Sequence, residues 1–161
     1  MFNYLNPDER QIDIDDIAQA LSNIPRWLGH TGQHYSVAQH CCWCYDWTDG
    51  NKLEALMHDA SEAYVGDCPT PLKILLPDYQ AMEHKVSIIL ANKYKYNYPY
   101  SNETHFVDKI ALAFERHNVK HLDINYLPLT YIPEPIEIWT HKRAKREFLK
   151  RFNAEMNGKI I

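Results

Sequence analysis

Apolar side chains recur three and four positions apart along most of the chain, the spacing of a helix face. Ile14, Ile17, Ala18 and Leu21 follow an acidic start and predict a first helix over 13–22, ended by Pro25. Ser36-Val37-Ala38-Gln39 resembles a capping box and predicts a second helix, on which Trp43 and Trp47 share a packing face. Asp49-Gly50-Asn51 reads as a turn. Good helix formers from Lys52 onward predict a third helix reaching about Val65 and stopping at Gly66. Pro69 and Pro71 forbid its continuation and predict a stiff loop that holds Asp67 and Lys73 beside one wall of a pocket. Pro77 opens another helix to about Tyr94, with Tyr79, Met82, Val86, Ile89 and Leu90 as its apolar face. After a loop marked by Pro99, Asn102 is expected to cap a helix to about His117, with Val107, Ile110, Ala111 and Phe114 inward. Pro128, Pro133 and Pro135 make 122–135 a connection or flap, and a last helix is predicted over 134–157. The pattern is that of an all-α chain, a single compact domain over 1–161.

Composition narrows what such a bundle can meet. With 161 residues, 45% hydrophobic and 24% charged, the chain is long enough for one real core. A formal charge of −4 provides no broad basic field, so neither duplex nucleic acid nor an anionic membrane is an expected partner. The basic run Lys142-Arg143-Ala144-Lys145-Arg146 is interrupted by Glu147 and reads as a solvated helix side. No apolar stretch nears the roughly 20 residues of a membrane span, and the first ten residues hold no basic leader, so a cytoplasmic location is expected. Of four cysteines, Cys41, Cys42 and Cys44 crowd one helical turn, which suits a reducing compartment better than a disulfide framework.

Candidate chemistry centres on His58-Asp59. On a helix Glu62 lies one turn beyond His58, while Asp59 points roughly 100° round, near enough for neighbouring ligands to reach one ion. Imidazole plus carboxylate suits a first-row divalent ion, and Glu62 is left to carry a proton or position water. Upstream, Arg26 to Tyr35 is dense in groups able to meet a nucleotide, among them Trp27, His30 and His34. A lone His40 is by itself more often a core residue, and Asp108 is either solvent-facing or bound to something cationic. Two further metal clips are less expected: His40 with Cys44, whose thiol is more commonly a small buried hydrophobe, and His117 with His121, where the helix is expected to end near Asn118.

The order His40, His58-Asp59, Asp108 resembles the metal-binding signature of HD-domain phosphohydrolases. The stretch His-Asp-Ala-Ser-Glu-Ala-Tyr-Val-Gly-Asp-Cys-Pro-Thr-Pro-Leu-Lys, residues 58–73, closely resembles the small deoxynucleotide-hydrolysing branch of that superfamily. That branch holds bacterial deoxyribonucleoside 5′-nucleotidases and bacteriophage dATP and dNTP triphosphohydrolases, and the likeness spans roughly 12–116. It implies a helical HD-domain fold and metal ligation by His40, His58, Asp59 and Asp108. The ion would be a divalent transition metal (Co, Mn, Zn, Fe or Ni), with Mg as a further candidate. It also implies acid–base or water-positioning roles for Glu62 and Asp67, a pocket lined by Arg26 and Trp27, and phosphate contacts from Arg26, Lys73, His30 and His34. Pro71 would crowd a 2′-hydroxyl. The expected substrate is a small deoxynucleotide. His30 and His34 as extra phosphate donors, and the resemblance of the short chain to compact phage enzymes, favour splitting dATP into deoxyadenosine and triphosphate over monophosphate hydrolysis. The Gly-His-Thr pattern within Leu28 to Tyr35 differs from the cellular nucleotidases and would reshape the base and phosphate pocket. A homo-oligomer is expected from the same resemblance, and a non-catalytic metal-bound interaction module is the third reading.

Overall fold

In the computed structural model residues 2–119 and 136–158 are described, and among them the chain is all-α, with eight helices and no strand. The helices are α1 (Ile14–Asn23), α2 (Val37–Trp47), α3 (Lys52–Met57), α4 (Glu62–Val65), α5 (Thr70–Lys73), α6 (Pro77–Tyr94), α7 (Asn102–Asn118) and α8 (His141–Asn157). None is long and apolar enough to cross a membrane.

Helix α2 organises the rest. Its residues from Val37 to Cys42 are all buried, as is Cys44, because α1, α3, α7 and α8 pack around it. A helix wrapped by others needs little amphipathicity, and α2 has nearly continuous small apolar groups instead. Ser36 starts it by accepting the Gln39 amide hydrogen bond. The Gln39 side chain does not close the reciprocal half of a capping box. It donates to the Glu137 carbonyl at 2.7 Å and accepts from the Trp139 amide at 2.9 Å, so it clamps the segment before α8. Ile17, Ala18 and Leu21 of α1, Leu56 and Met57 of α3, Val86 and Leu90 of α6, and Ala144 and Phe148 of α8 close the main core. Trp43 stacks on Trp47 at 4.2 Å and on Phe114 at 4.8 Å, so Trp43 packs against α7 while Trp47 stays exposed beside it.

Four boundaries differ from expectation, three for local reasons and the last through a distant side chain. The long helix through His58 breaks into α3 and α4, since the amides of Ala60, Glu62, Ala63 and Tyr64 bond three residues back rather than four. The proline loop contains α5, because proline is tolerated in a helical first turn and Pro71 occupies one. Ser101, not Asn102, caps α7, its hydroxyl accepting from the Thr104 amide. Helix α8 starts seven residues late: Thr140 is extended and caps it, after the Gln39 clamp has tied down the Glu137 carbonyl and the Trp139 amide outside any helix. The expected connection over 122–135 and His121 lie outside the described residues.

Two carboxylates staple α7 to the turn and helix that deliver the signature. Glu54 of α3 accepts from the Ser101 amide at 2.6 Å and the Thr104 hydroxyl at 2.7 Å. Glu103 accepts from the Thr48 hydroxyl and the amides of Asp49, Gly50 and Asn51, between 2.8 and 3.3 Å. A Cβ on Gly50 would stand 3.0 Å from that carboxylate, so glycine there permits the close approach. These staples fix the register of α7 against α3, and with it the distance from Asp108 to His58.

Candidate metal centre

The tight turns between α3 and α4 place two signature residues at the centre of the bundle. His58 donates from Nδ1 to the Ala55 carbonyl at 2.8 Å, the hydrogen bond that assigns the ring proton to that nitrogen. His40, one turn into α2 and fully buried, meets the Glu115 carboxylate through Nδ1 at 2.6 Å. Both rings are thereby held in the tautomer that leaves Nε2 as a lone pair. The two Nε2 atoms face each other at 3.2 Å. Lone pairs that close repel unless a cation or a proton lies between them.

Carboxylates complete the arrangement. Asp108 Oδ1 lies 3.2 Å from His40 Nε2 and 3.8 Å from His58 Nε2; Asp59 Oδ2 lies 3.3 Å from His58 Nε2 and 3.5 Å from His40 Nε2. Ligands about 2.1 Å from one ion are separated by about 3.0 Å at right angles and about 3.4 Å at the tetrahedral angle. Four of the spacings, 3.2 to 3.5 Å, fall near those edges, and the 3.8 Å from Asp108 to His58 is wider. Asp59 Oδ2 is buried and accepts no hydrogen bond from the described residues, another sign that its partner is a cation. The residues therefore fit a divalent ion, which would be held by His40, His58, Asp59 and Asp108.

Electrostatics in the protein alone point the same way. Burial by itself lowers the basicity of His58, but Asp59 and Asp108 outweigh it and hold the imidazole well above its ordinary pKa. The same imidazoles, against burial, pull Asp59 and Asp108 far below the usual carboxylate range. Glu62 behaves oppositely. Burial, then the neighbouring charges of Asp59 and Asp67, push its carboxyl well up, and Oε2 accepts no hydrogen bond from the described residues. Asp67 is half-buried and raised mainly by burial; Arg26, Asp59 and His40 perturb it, which puts it within the field of the same centre.

Arg26 lies over this site but is partly committed. Its Nη2 is 3.0 Å from Glu115 Oε2 and its Nη1 3.6 Å from Asp59 Oδ2. Trp27 donates to the same Glu115 oxygen at 3.1 Å, and the backbone bends through positive φ at Trp27, Leu28 and Gly29 to bring it there. Left-handed backbone at two non-glycine residues costs about 1–2 kcal/mol each. The Glu115 contacts offset that strain. His30 is exposed on this loop. His34 is directed elsewhere, its Nε2 3.0 Å from the Ser22 carbonyl and its ring stacked on His141 at 4.0 Å. Lys73 Nζ pairs with Glu83 at 2.7 Å, and Pro71 is exposed in the first turn of α5.

Glu115 is the residue the sequence reading missed. It is fully buried and joins His40, Arg26 and Trp27, so it orients a ligand ring and the loop together. Its position, seven residues after Asp108 and so on the same face of α7, is the one signal that would have marked it. Cys44, the less expected donor, also lies inside the cluster: donor atoms of His40, Cys44, His58 and Asp108 all fall within 4.8 Å of one another.

No family model matches the chain. It is 43% identical over 129 residues to the uncharacterized protein YfdR of Escherichia coli (strain K12), covering 80% of this chain and 71% of that protein. It is also 39% identical over 79 residues to an uncharacterized protein of Rhodobacter capsulatus, covering 43% of this chain and 40% of that one.

Proposed function

The chain belongs to the family of Escherichia coli YfdR, and from its site we propose that it is a metal-dependent HD-type phosphohydrolase of deoxynucleotides. The observation that carries this reading is the pair of imidazole Nε2 atoms 3.2 Å apart, flanked by two carboxylates. A bound divalent ion would supply an acidified water and withdraw charge from a phosphoryl oxygen. The chain's own residues do the rest. Arg26 offers a guanidinium edge to a phosphate at the Asp59 side, where the carboxylate pairs it at 3.6 Å only. Glu62 and Asp67, on the segment that follows the ligand pair, would move a proton or orient water; the perturbation of both carboxyls by Asp59 supports that reading. Trp27 presents a ring, tethered by Glu115, as a wall for base or sugar. A small deoxynucleotide in the cytoplasm is the proposed substrate, dATP split to deoxyadenosine and triphosphate the first form of it, in a homo-oligomer.

One observation favours the alternative of deoxyribonucleoside 5′-monophosphate hydrolysis. Lys73 is engaged by Glu83, and His34 by Ser22 and His141, which leaves fewer donors for a long phosphate chain. Parallel incubation of the metal-supplemented protein with dATP and dAMP, resolving triphosphate from phosphate, separates the two. Triphosphate from dATP, abolished by Asp59→Ala, supports the first form. Phosphate from dAMP alone moves the assignment to the second, and no hydrolysis of either removes the proposal in favour of a metal-bound interaction module.

A further inference from the structure

Within that proposed metal centre, and resting on it, two thiols lie among the donors: Cys41 groups with His58 and Asp59, and Cys44 with His40, His58 and Asp108, the larger set. Cys44 lies one turn beyond His40 on α2, and its Sγ is 3.7 Å from His40 Nε2. For a thiolate about 2.3 Å and an imidazole about 2.1 Å from one ion, the tetrahedral edge is about 3.6 Å. The spacing is that of two ligands on a single ion. It is also longer than the edge expected when both donors are first-row atoms, as sulfur requires.

Burial distinguishes this donor from the carboxylates. Cys44 is 1% exposed and His40 not at all, whereas the Asp59 and Asp108 side chains are 18% and 40% exposed. The thiol therefore faces the closed, inner side of the centre, and the carboxylates form its open rim. No described hydrogen bond other than the contact with His40 engages Sγ. Cys44 packs with Ala55, Val107, Ala111 and Trp43 in a small apolar cluster, yet its Sγ also falls within 4.8 Å of donor atoms of two imidazoles and a carboxylate, a proximity that apolar packing alone does not require.

We propose that Cys44 is a thiolate ligand on the inner side of the metal centre, and that it biases the site towards zinc-class ions and against magnesium. Soft thiolate favours zinc and cobalt, while magnesium requires hard oxygen donors in near-octahedral array. On binding, Sγ gives its proton to solvent and its electron pair to the ion, so metal uptake by the wild type releases one more proton than uptake by a Cys44→Ser variant whose hydroxyl remains protonated.

The test is cobalt loading of the metal-free full-length chain, read by absorbance and by elemental analysis. With one Co²⁺ per chain, the wild type shows a thiolate-to-cobalt charge-transfer band in the near ultraviolet. Cys44→Ser and Cys44→Ala bind cobalt without that band, and retain Zn²⁺ against a chelator at least tenfold less well, while Mg²⁺ binding changes less than twofold. Single cysteine-to-serine changes at Cys41 and Cys42 keep the band. Stoichiometric cobalt without a charge-transfer band in the wild type overturns Cys44 ligation and leaves the metal centre standing. No cobalt or zinc bound to the wild type overturns both.

Discussion

Helix α7 carries two glutamates that gather several donors each, and they differ in what surrounds them. Glu103, at the start of the helix, draws in uncharged partners, the Thr48 hydroxyl and three successive amides of the turn before α3. Those bonds lower its pKa to about 2, although the side chain is near solvent. Glu115, three turns on and fully buried, draws in a guanidinium, an imidazole and an indole. Burial raises its pKa, and Arg26 and His40 more than reverse that. The first carboxylate holds chain to chain. The second holds functional groups in the orientation that metal binding needs, and its removal strands a buried positive charge. The difference teaches that one helix can set backbone register at one end and ligand orientation at the other, through the same side chain.

Changing Glu115 should have the larger effect. Glu115→Ala leaves Arg26 without its buried partner and should lose about 3–5 kcal/mol in chemical denaturation. Glu115→Gln keeps the shape and most of the fold, but weakens the hold on His40 Nδ1; zinc affinity by competition with a chromogenic chelator should fall about 10–100-fold. If Glu115→Gln binds zinc like the wild type, the carboxylate is a structural tie alone. Glu103→Ala comes next, with a loss of about 1–2 kcal/mol, the range for a missing cap, and unchanged zinc affinity once folded.

The pH dependence sharpens the contrast at Glu103. A carboxylate whose folded pKa is about 2 against an ordinary 4.5 contributes stability that is fully present above about pH 4.5 and is lost as pH falls through about 2. The stability difference between wild type and Glu103→Gln should therefore shrink across that window in urea titrations; a constant difference would mean that folding does not shift the Glu103 pKa. Smallest is Gly50→Ala, whose new Cβ meets the Glu103 carboxylate at 3.0 Å. About 1 kcal/mol or less is expected, and the loss should vanish in the Glu103→Ala background.

Much of the frame was legible in residue pattern because caps are local chemistry. Asp13, Ser36 and Pro77 each announce a helix start within a residue of where it occurs. The late start of α8 was not legible, since Gln39, about a hundred positions away, engages the Glu137 carbonyl and the Trp139 amide just before Thr140. At the site the same division holds. His40, His58, Asp59 and Asp108 carry a recognisable order and do converge. Glu115 looks like a surface charge until the Arg26–Trp27 loop is seen folded over α7. Lys73 and His34 looked like phosphate donors because their own partners, Glu83 and His141, are invisible without tertiary structure.

The central claim is that the facing imidazoles of His40 and His58 share one cation. The direct measurement is an anomalous difference map, collected at the zinc edge, from crystals grown with Zn²⁺. The account predicts one strong peak about 2.0–2.1 Å from each Nε2, with carboxylate oxygen from Asp59 or Asp108 in contact. A map with no peak there, and the two nitrogens still 3.2 Å apart, would contradict it.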